Sequence, residues 1–315
     1  MQTVAVARNA MATRFEIVLH GEDVVALRAA GEEALDEIER IEGQLSLYRP
    51  TSEVTRLNAR AAREPVRVTP ELFRLLEHAK RLHRETGGAF DITIAPLVRC
   101  WGFMGGEGSQ PTPEALAEAR GLVGMDLVEL NKEDLTVRFL REGVMLDFGA
   151  IGKGYAVEKA AELLREAGVM GALVNGGTST VYALGCPPEA ECWKVALEYP
   201  EENNPDVRRK HLATVPLRDE AMSVSAVWGK SFKAGGKVLG HVLDPRSGEP
   251  VSGAILAAVA LPSAMETDAL STALLVAGVA ENEEIAGLRP GMRTFLVSKN
   301  GQDLNIMAKG IPKGR

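Results

Sequence analysis

The chain has 315 residues, of which 45% are hydrophobic and 25% are charged, and its formal net charge is −7. This composition is typical of a globular protein and includes no low-complexity tract. Lys and Arg form no sustained basic stripe, so nucleic acid is not an expected partner. No run of eighteen apolar residues occurs, so no transmembrane helix is predicted.

The first nineteen residues alternate polar and apolar side chains and include Arg8, Arg14 and Glu16. This alternation predicts a β-strand with a break near residues 9–12, and it is unlike the apolar stretch of a signal peptide. As written, the chain is therefore expected in the cytoplasm. A leader removed ahead of this sequence would instead place the protein in the periplasm or anchor it to the membrane.

Six segments have the features of helices. Apolar residues recur at helical spacing over residues 24–45 and predict a first long helix. A second long helix is predicted over residues 70–86, with a proline at its start and a glycine pair after its end. Thr51 or Ser52 is expected to cap a short helix that continues through Asn58. The remaining helices are predicted over residues 112–120, 155–167 and 264–277.

Short apolar segments between turn residues predict a series of strands. They lie at residues 127–130, 136–139, 145–148, 172–175, 193–197, 212–217, 221–225, 239–243, 255–261, 294–298 and 304–307. Strands often follow one another without a helix between them, which favours an α+β fold with antiparallel pairs over a doubly wound parallel sheet. No Pro/Ser-rich linker divides the chain. Residues 1–315 are therefore predicted to form one domain of mixed, largely antiparallel sheets packed with helices.

A glycine-rich turn precedes the predicted helix over residues 155–167. Residues 147–154 read Asp-Phe-Gly-Ala-Ile-Gly-Lys-Gly. Such a turn presents backbone N–H groups and the positive end of the helix dipole to an anion, and Lys153 adds a point charge. The segment therefore predicts a site for a phosphorylated ligand.

Asp268 and Thr272 are four residues apart in a predicted helix and therefore share one helix face. A carboxylate and a hydroxyl on one face, completed by a carbonyl from elsewhere, suit a hard cation such as Mg²⁺. The alternative is structural: Asp268 favours the positive end of the helix dipole, and Thr272 donates to the carbonyl four residues before it. The spacing alone leaves both interpretations open.

His241 lies where a predicted strand runs into an Asp-Pro turn. Among the five histidines it is the best candidate for a general base, because an imidazole titrates near neutral pH. A single histidine in a strand is more often structural than catalytic, so both roles stay open. Asp244 is expected to organise the turn rather than to react.

Asp91 follows a predicted helix end in the segment 88–91, which reads Gly-Ala-Phe-Asp. Small residues there allow a planar ligand to approach the backbone, and the carboxylate is able to accept hydrogen bonds from an amino or hydroxyl group. A helix stop followed by an Asx turn is the structural alternative. The pair Gly176-Gly177, at a predicted strand end, either lines a ligand or forms a turn.

Several common enzyme signatures are absent from the sequence. It contains no Gly-x-Gly-x-x-Gly, no Gly-x-x-x-x-Gly-Lys-[Ser/Thr] and no Gly-x-Ser-x-Gly, which argues against an ordinary Rossmann enzyme, a P-loop NTPase and an α/β-hydrolase. Cys100 is expected to be a small buried apolar residue. Cys186 and Cys192 flank a short loop, where a disulfide is expected in an exported protein and two free thiols otherwise.

Taken in chain order, these segments resemble the FAD:protein FMN transferase (ApbE) family. The matching segments are Met11-Ala12-Thr13, Leu47 to Pro50 with Ser52, Glu53 and Asn58, Gly88 to Asp91 with Pro96-Leu97 and Trp101 to Phe103, Leu146 to Ala156, Asn175 to Gly177, His241 to Gly248, and Asp268 to Thr272. They span residues 11–278, most of the chain. The match is specific because of their order and breadth, since each motif is weak alone.

The resemblance implies an α+β, ApbE-like fold and an enzyme that transfers FMN from FAD to a Ser or Thr hydroxyl of an acceptor protein, releases AMP and uses Mg²⁺. It implies that Asp268, Thr272 and the Ala150 carbonyl bind the metal and that His241 activates the acceptor hydroxyl. The residues that it places around FAD are Met11, Tyr48, Ala89, Phe90, Asp91, Asp147, Lys153 and Val242. A homodimer is compatible with the sequence, which leaves the oligomeric state and the acceptor open.

The sequence departs from the family pattern at three places. Thr178 stands where the family commonly has Asp, residues 224–226 read Val-Ser-Ala in place of a Thr-Ser-Gly-like segment, and Glu158 stands where Asp is frequent. Three hypotheses are therefore carried forward. The chain transfers FMN to a protein, or it is a Mg²⁺-dependent FAD pyrophosphatase in which water replaces the acceptor, or it binds FAD without cleaving it.

Overall fold

The computed structural model describes residues 1–200, 209–229, 231–234, 237–300 and 303–314. The α-helices in these residues are α1 (Val24–Leu45), α2 (Glu53–Arg60), α3 (Pro70–Glu85), α4 (Ala95–Cys100), α5 (Pro113–Arg120), α6 (Gly152–Glu166), α7 (Ala264–Ala277) and α8 (Asn282–Ala286). The strands are β1 (Gln2–Ala10), β2 (Thr13–Gly21), β3 (Val66–Arg67), β4 (Val128–Asn131), β5 (Thr136–Phe139), β6 (Gly171–Gly176), β7 (Thr180–Gly185), β8 (Trp193–Pro200), β9 (Arg209–Leu217), β10 (Glu220–Ala226), β11 (Ser231–Ala234), β12 (Lys237–Gly240), β13 (Ala254–Leu261), β14 (Arg293–Asn300) and β15 (Asp303–Lys309).

Eight strands form one sheet in the order β1-β2-β6-β7-β10-β13-β14-β15, and every neighbouring pair is antiparallel. The smaller sheets β3-β5-β4, β8-β9 and β11-β12 are antiparallel as well. This confirms the predicted α+β class, because a doubly wound fold has mainly parallel neighbours.

The eight-stranded sheet is covered on both faces. Along β13, Ala257 and Val259 belong to the main core, whereas Ala258 and Ala260 belong to a second core, as the period of two in a strand requires. Helices α1, α6 and α7 pack on the main-core face. The hairpin β8–β9 covers the other face and contributes Leu197 to the second core. Helices α6 and α7 therefore lie side by side, where residues distant in sequence meet.

Helices α1 and α7 begin and end where the sequence predicts. Asp23 caps α1, because its Oδ1 accepts from the N–H groups of Val25 at 2.9 Å and Ala26 at 3.0 Å. Helix α6 begins at Gly152 rather than at residue 155. The Gly-Lys-Gly segment is thus the first turn of the helix, which brings the predicted lysine onto the helix N-terminus.

Residues 145–148 do not form the predicted strand. The N–H of Leu146 donates to Asn58 Oδ1 at 2.8 Å, and its carbonyl accepts from Asn58 Nδ2 at 3.0 Å. The N–H of Asp147 donates to the Ile92 carbonyl at 2.7 Å. A side chain and a turn therefore take the backbone groups that a sheet ladder would use. The sequence also fails to predict β3, β7, β11, α4 and α8.

The three cysteines are free thiols. Cys186 and Cys192 lie in the connection between β7 and β8, where they do not form a disulfide. Cys100 is half-buried and packs against the cluster that contains Trp101. Among the residues that the structure describes, no helix combines the length and the apolar character needed to cross a membrane.

A cluster of charged side chains joins α3 to the start of α7. Glu266 accepts from Arg289 Nε at 2.7 Å and from Arg81 at 3.2 Å, and it lies 3.1 Å from His78 Nε2. Burial alone would raise the pKa of Glu266, but the hydrogen bonds from His78 and Arg289 lower it to about 2. The carboxylate is 12% exposed, so solvent screens the cluster only weakly.

We expect Glu266 to stabilise the fold above pH 4.5 and to lose this contribution as the pH falls towards 2. The Glu266 carboxyl has an ordinary pKa of 4.5, and its pKa in the folded protein is about 2. Because the pKa is lower in the folded protein, ionisation of the carboxyl favours folding. The contribution is at most about 3 kcal/mol. Urea unfolding at pH 7 and pH 3 checks this. The parent protein should lose more stability than Glu266→Gln, and equal losses would contradict the expectation.

Candidate functional site

The start of α6 is in close contact with the start of α7. The backbone N–H of Gly154 donates to Asp268 Oδ2 at 2.8 Å. A Cβ atom on residue 154 would lie 2.2 Å from the Ala264 carbonyl oxygen and 2.6 Å from Asp268 Cβ. Only glycine fits there. The missing side chain allows the N-terminus of α6 to reach the Asp268 carboxylate, 114 positions away in sequence.

Asp268 is a buried carboxylate, with 4% of its surface exposed. Its further hydrogen bond is a long one, from Thr180 Oγ1 at 3.5 Å. No residue within the described ranges forms an ion pair with it. Buried charges are normally paired or bind a metal, and the positive end of the α6 dipole compensates this carboxylate only in part. The surroundings of Asp268 therefore fit a bound cation.

The other two predicted metal donors belong to the two segments that meet at this carboxylate, α7 and the turn before α6. Thr272 is one turn further along α7, with Oγ1 3.3 Å from the Asp268 carbonyl oxygen. Ala150 lies in the turn before α6. In a regular helix, the Gly154 N–H would donate to the Ala150 carbonyl. Here the Gly154 N–H donates to Asp268, and no other described backbone N–H donates to the Ala150 carbonyl. The Asp268 carboxylate, the Thr272 hydroxyl and the Ala150 carbonyl are hard oxygen ligands of the kind that Mg²⁺ prefers.

The described residues contain no metal site rich in carboxylate, thiolate or imidazole. Within the described ranges, no group of three or more His, Cys, Asp or Glu side chains is arranged to hold a metal ion. The donor set around Asp268 contains a single carboxylate. Oxygen atoms from a ligand or from water would have to complete its coordination, as is usual for Mg²⁺.

Lys153, Asp147 and Tyr48 lie together around the turn before α6. Lys153 Nζ donates to the Gly149 carbonyl at 3.3 Å, and Asp147 Oδ1 accepts from the Gly149 N–H at 2.8 Å. Burial raises the pKa of Asp147, whereas the Gly149 N–H and the Lys153 charge oppose this effect. The pKa of Tyr48 is raised by desolvation and then by the Asp147 charge. The Tyr48 residue is 67% exposed, so its ring is available to stack on a planar ligand.

Asp91 forms an Asx turn, which the sequence offers as the structural alternative to ligand binding. Its Oδ1 accepts from Thr93 N–H at 2.7 Å and Thr93 Oγ1 at 2.6 Å, and its Oδ2 lies 3.0 Å from His83 Nδ1. Desolvation lowers the pKa of His83, but the hydrogen bond and charge of Asp91 outweigh this and raise it. Ala89 and Phe90 are buried. The Asp91 carboxylate is thus engaged within the protein, and segment 89–91 offers a ligand mainly its backbone.

A cleft of about 440 Å³ lies beside Asp91 and His83 and is also lined by Arg246. Arg246 donates to Asp244 Oδ1 at 3.0 Å and to Glu281 at 2.6 Å, so two carboxylates already neutralise it. Asp244 Oδ1 also accepts from the Arg246 N–H at 2.9 Å, as expected for a residue that organises the turn. The Arg246 charge is therefore compensated within the protein, whereas Arg120, which also lines the cleft, donates to the Arg246 carbonyl at 2.9 Å.

Met11 lies in a strained turn at the end of the eight-stranded sheet. Met11 and Ala12 have φ values of 49° and 58°, as in the type I′ turns of two-residue hairpins. Each costs on the order of 1 kcal/mol relative to glycine. The turn lies against the β6–β7 connection, where a Cβ on Gly177 would lie 2.1 Å from Thr13 Oγ1. The hairpin geometry accounts for both positive φ values, so the place of Met11 at the FAD site stays a prediction.

His241 and Val242 follow β12. The Val242 carbonyl accepts from the Val251 N–H at 2.9 Å. The His241 ring lies against Gly229, where a Cβ atom would lie 3.1 Å from His241 Cε1. Gly229 follows β10. Ser225 lies on that strand, and its Oγ is 3.0 Å from Thr272 Oγ1. The histidine is thus placed beyond the end of the strand that contacts the Thr272 hydroxyl.

Six hydroxyl groups fill the space between the sheet and α7, and only Thr272 among them is predicted from the sequence as a site residue. We call them the hydroxyl layer, which consists of Thr180 on β7, Ser223 and Ser225 on β10, and Thr267, Ser271 and Thr272 on α7. The signal available was their spacing, since residues two apart on a strand and four apart on a helix share a face. The layer links directly to Asp268 through Thr180.

Glu158, a departure from the family pattern in sequence, has a structural role in the fold. Its Oε2 accepts from Ser263 Oγ at 2.6 Å and from the Met265 N–H at 3.1 Å. These groups lie at the N-terminus of α7, so Glu158 caps that helix from α6. Together with the Gly154 contact, it fixes how α6 meets α7. Thr178 lies in the turn between β6 and β7.

Known proteins of similar sequence include FAD:protein FMN transferases. The model of the ApbE family matches residues 11–296. The FAD:protein FMN transferase of Haemophilus influenzae is 32% identical over 272 residues, which cover 83% of this chain and 77% of that protein. The FAD:protein FMN transferase of Escherichia coli K12 is 28% identical, with 82% and 73% covered.

Solved structures of the same description share the fold. The flavinyl transferase ApbE of Pseudomonas stutzeri, in its apo form, superposes with a TM-score of 0.84 at 29% identity and covers 98% of this chain and 95% of that one. The ApbE protein of Thermotoga maritima superposes with a TM-score of 0.87 at 25% identity, covering 98% and 97%. The resemblance seen in the sequence motifs is confirmed, and this chain belongs to the ApbE family.

Proposed function

We propose that this chain transfers FMN from FAD to a Ser or Thr hydroxyl of an acceptor protein. The observation that carries the proposal is the α6–α7 junction. A buried carboxylate, which has no cationic partner among the described residues, lies there at the N-terminus that bears Lys153. Membership of the ApbE family and the names of its relatives support the same reaction.

In the proposed reaction, one phosphoester bond replaces one bond of the pyrophosphate. The acceptor oxygen bonds to the phosphorus of the FMN half of FAD, and the bond from that phosphorus to the bridging oxygen breaks. AMP leaves with the bridging oxygen and its electron pair. The acceptor hydroxyl loses its proton to a base, for which His241 is the candidate because imidazole is largely unprotonated at neutral pH.

The chain's own residues bind and orient the two phosphates. Lys153 and the N–H groups of the α6 N-terminus attract their charge. Asp268, Thr272 and the Ala150 carbonyl would hold Mg²⁺, which when bound neutralises charge on the phosphate oxygens. Tyr48 would stack on a ring of FAD. The remaining positions proposed to line the FAD site are Met11, Ala89, Phe90, Asp91, Asp147 and Val242.

The products of FAD cleavage test this proposal. The purified chain is incubated with FAD and Mg²⁺, with and without a candidate acceptor, and AMP and FMN are separated by chromatography. The proposal expects AMP together with flavin fluorescence covalently attached to the acceptor in a denaturing gel. AMP with free FMN under both conditions would identify a pyrophosphatase instead. Bound FAD that is never cleaved would identify a flavin-binding protein.

A further inference from the structure

The hydroxyl layer has two branches, each built around one serine of β10. In the first branch, Ser223 Oγ lies 3.1 Å from Thr180 Oγ1 and 2.7 Å from Thr267 Oγ1. All three residues of this branch are buried. This branch joins the sheet to α7 in the interior of the protein.

The second branch reaches the edge of the predicted metal site. Ser225 Oγ lies 2.9 Å from Ser271 Oγ and 3.0 Å from Thr272 Oγ1. Ser271 is buried, whereas Thr272 is only half-buried. Ser271 and Thr272 both donate to the Asp268 carbonyl oxygen, at 3.0 and 3.3 Å.

Each hydroxyl has one proton to donate and two lone pairs that accept. The Asp268 carbonyl oxygen also has two lone pairs, so it accepts from both Ser271 and Thr272. In the contact between Ser225 and Thr272 at 3.0 Å, either oxygen is able to be the donor. In both cases at least one lone pair of Thr272 Oγ1 has no described donor.

We propose that Ser225 is a positioning residue that holds the Thr272 hydroxyl in the orientation in which a lone pair of its oxygen faces the cation site. A helical threonine divides between two side-chain rotamers, because its hydroxyl is able to bond a carbonyl of the preceding turn. The hydrogen bond to Ser225 selects one of them. The inference rests on the proposed function, since it gives Ser225 a role only if Asp268 and Thr272 bind a cation.

The alternative is that Ser225 only helps to join β10 to α7, as Ser223 does. The two roles differ in what Ser225→Ala changes. A joining role predicts lower stability with an unchanged metal affinity. A positioning role predicts weaker metal binding, on the order of tenfold, which is the usual effect of losing a group that orients a metal ligand.

Mn²⁺ binding to the full chain distinguishes these roles. Mn²⁺ is titrated in the presence of a fixed, saturating concentration of FAD, and its dissociation constant is read from the electron paramagnetic resonance signal of the free ion. The FAD dissociation constant without metal, from flavin fluorescence, and the thermal midpoint are measured in parallel. Ser225→Ala should raise the Mn²⁺ constant about tenfold and leave the FAD constant unchanged.

Two control variants make the result specific. Ser225→Thr keeps the hydroxyl and should restore the Mn²⁺ affinity of the parent chain. Ser298→Ala removes a buried serine on β14 of the same sheet and should not change it. If Asp268→Ala abolishes Mn²⁺ binding while Ser225→Ala does not weaken it, only this inference is overturned. Unchanged Mn²⁺ binding in both variants overturns the inference together with the proposed metal site.

Discussion

Asp268→Ala should abolish Mg²⁺-dependent release of AMP from FAD, with a rate at least on the order of 10³-fold lower, and should leave the chain folded. The loss follows because Asp268 is the one charged group among the proposed metal donors, and charge stabilisation on phosphate oxygens is the main contribution expected from the metal. The fold should survive because the variant removes a buried charge that has no cationic partner in the described part of the chain. Initial rates across a Mg²⁺ titration and the thermal midpoint measure both parts.

Asp268→Asn is the matched control for this variant. The amide oxygen keeps an acceptor for the Gly154 N–H, which the carboxylate bonds at 2.8 Å, and the side chain keeps its size. Loss of activity in the asparagine variant would therefore assign the effect to charge rather than to packing. Retained Mg²⁺ dependence in Asp268→Ala would contradict the metal-site assignment, whatever its stability.

Local features of the sequence predicted those parts of the site that lie within one element. The spacing of Asp268 and Thr272 was enough to place both on one face of α7, because helix periodicity is a local property. The glycine-rich turn before α6 was likewise visible as a helix start. The contacts that complete the site join Gly154 to Asp268 and Ser225 to Thr272. No local pattern specifies such contacts, since they depend on how α6, α7 and β10 pack.

The failures of strand prediction have a similar cause. Residues 145–148 have the composition of a strand, but Asn58, 88 positions away from Leu146, takes both of the Leu146 backbone groups. Strand β7 was missed although Val181 and Tyr182 are buried in it. Pairing with β6 and β10 stabilises that strand, and strand preference depends on such neighbours more than on the segment itself.

Gly154→Ala should destabilise the fold by about 3 kcal/mol or more and should also strongly reduce FAD cleavage. Alanine is normally the better helix former, by about 1 kcal/mol, so helix propensity predicts the opposite sign for stability. Packing decides the outcome here. The new methyl group would lie 2.2 Å from the Ala264 carbonyl oxygen and 2.6 Å from Asp268 Cβ, and backbone atoms are unable to yield as a flexible side chain does.

Separation of α6 from α7 would also take the Gly154 N–H away from Asp268, which links the loss of stability to the loss of activity. Gly43→Ala is the matched control, because residue 43 lies within α1 and a Cβ atom there meets nothing within 4 Å. That variant should gain about 1 kcal/mol and keep full activity. Urea unfolding and the rate of AMP release measure both variants. If Gly154→Ala were as stable and as active as Gly43→Ala, close contact between α6 and α7 would not be what holds Asp268 in place.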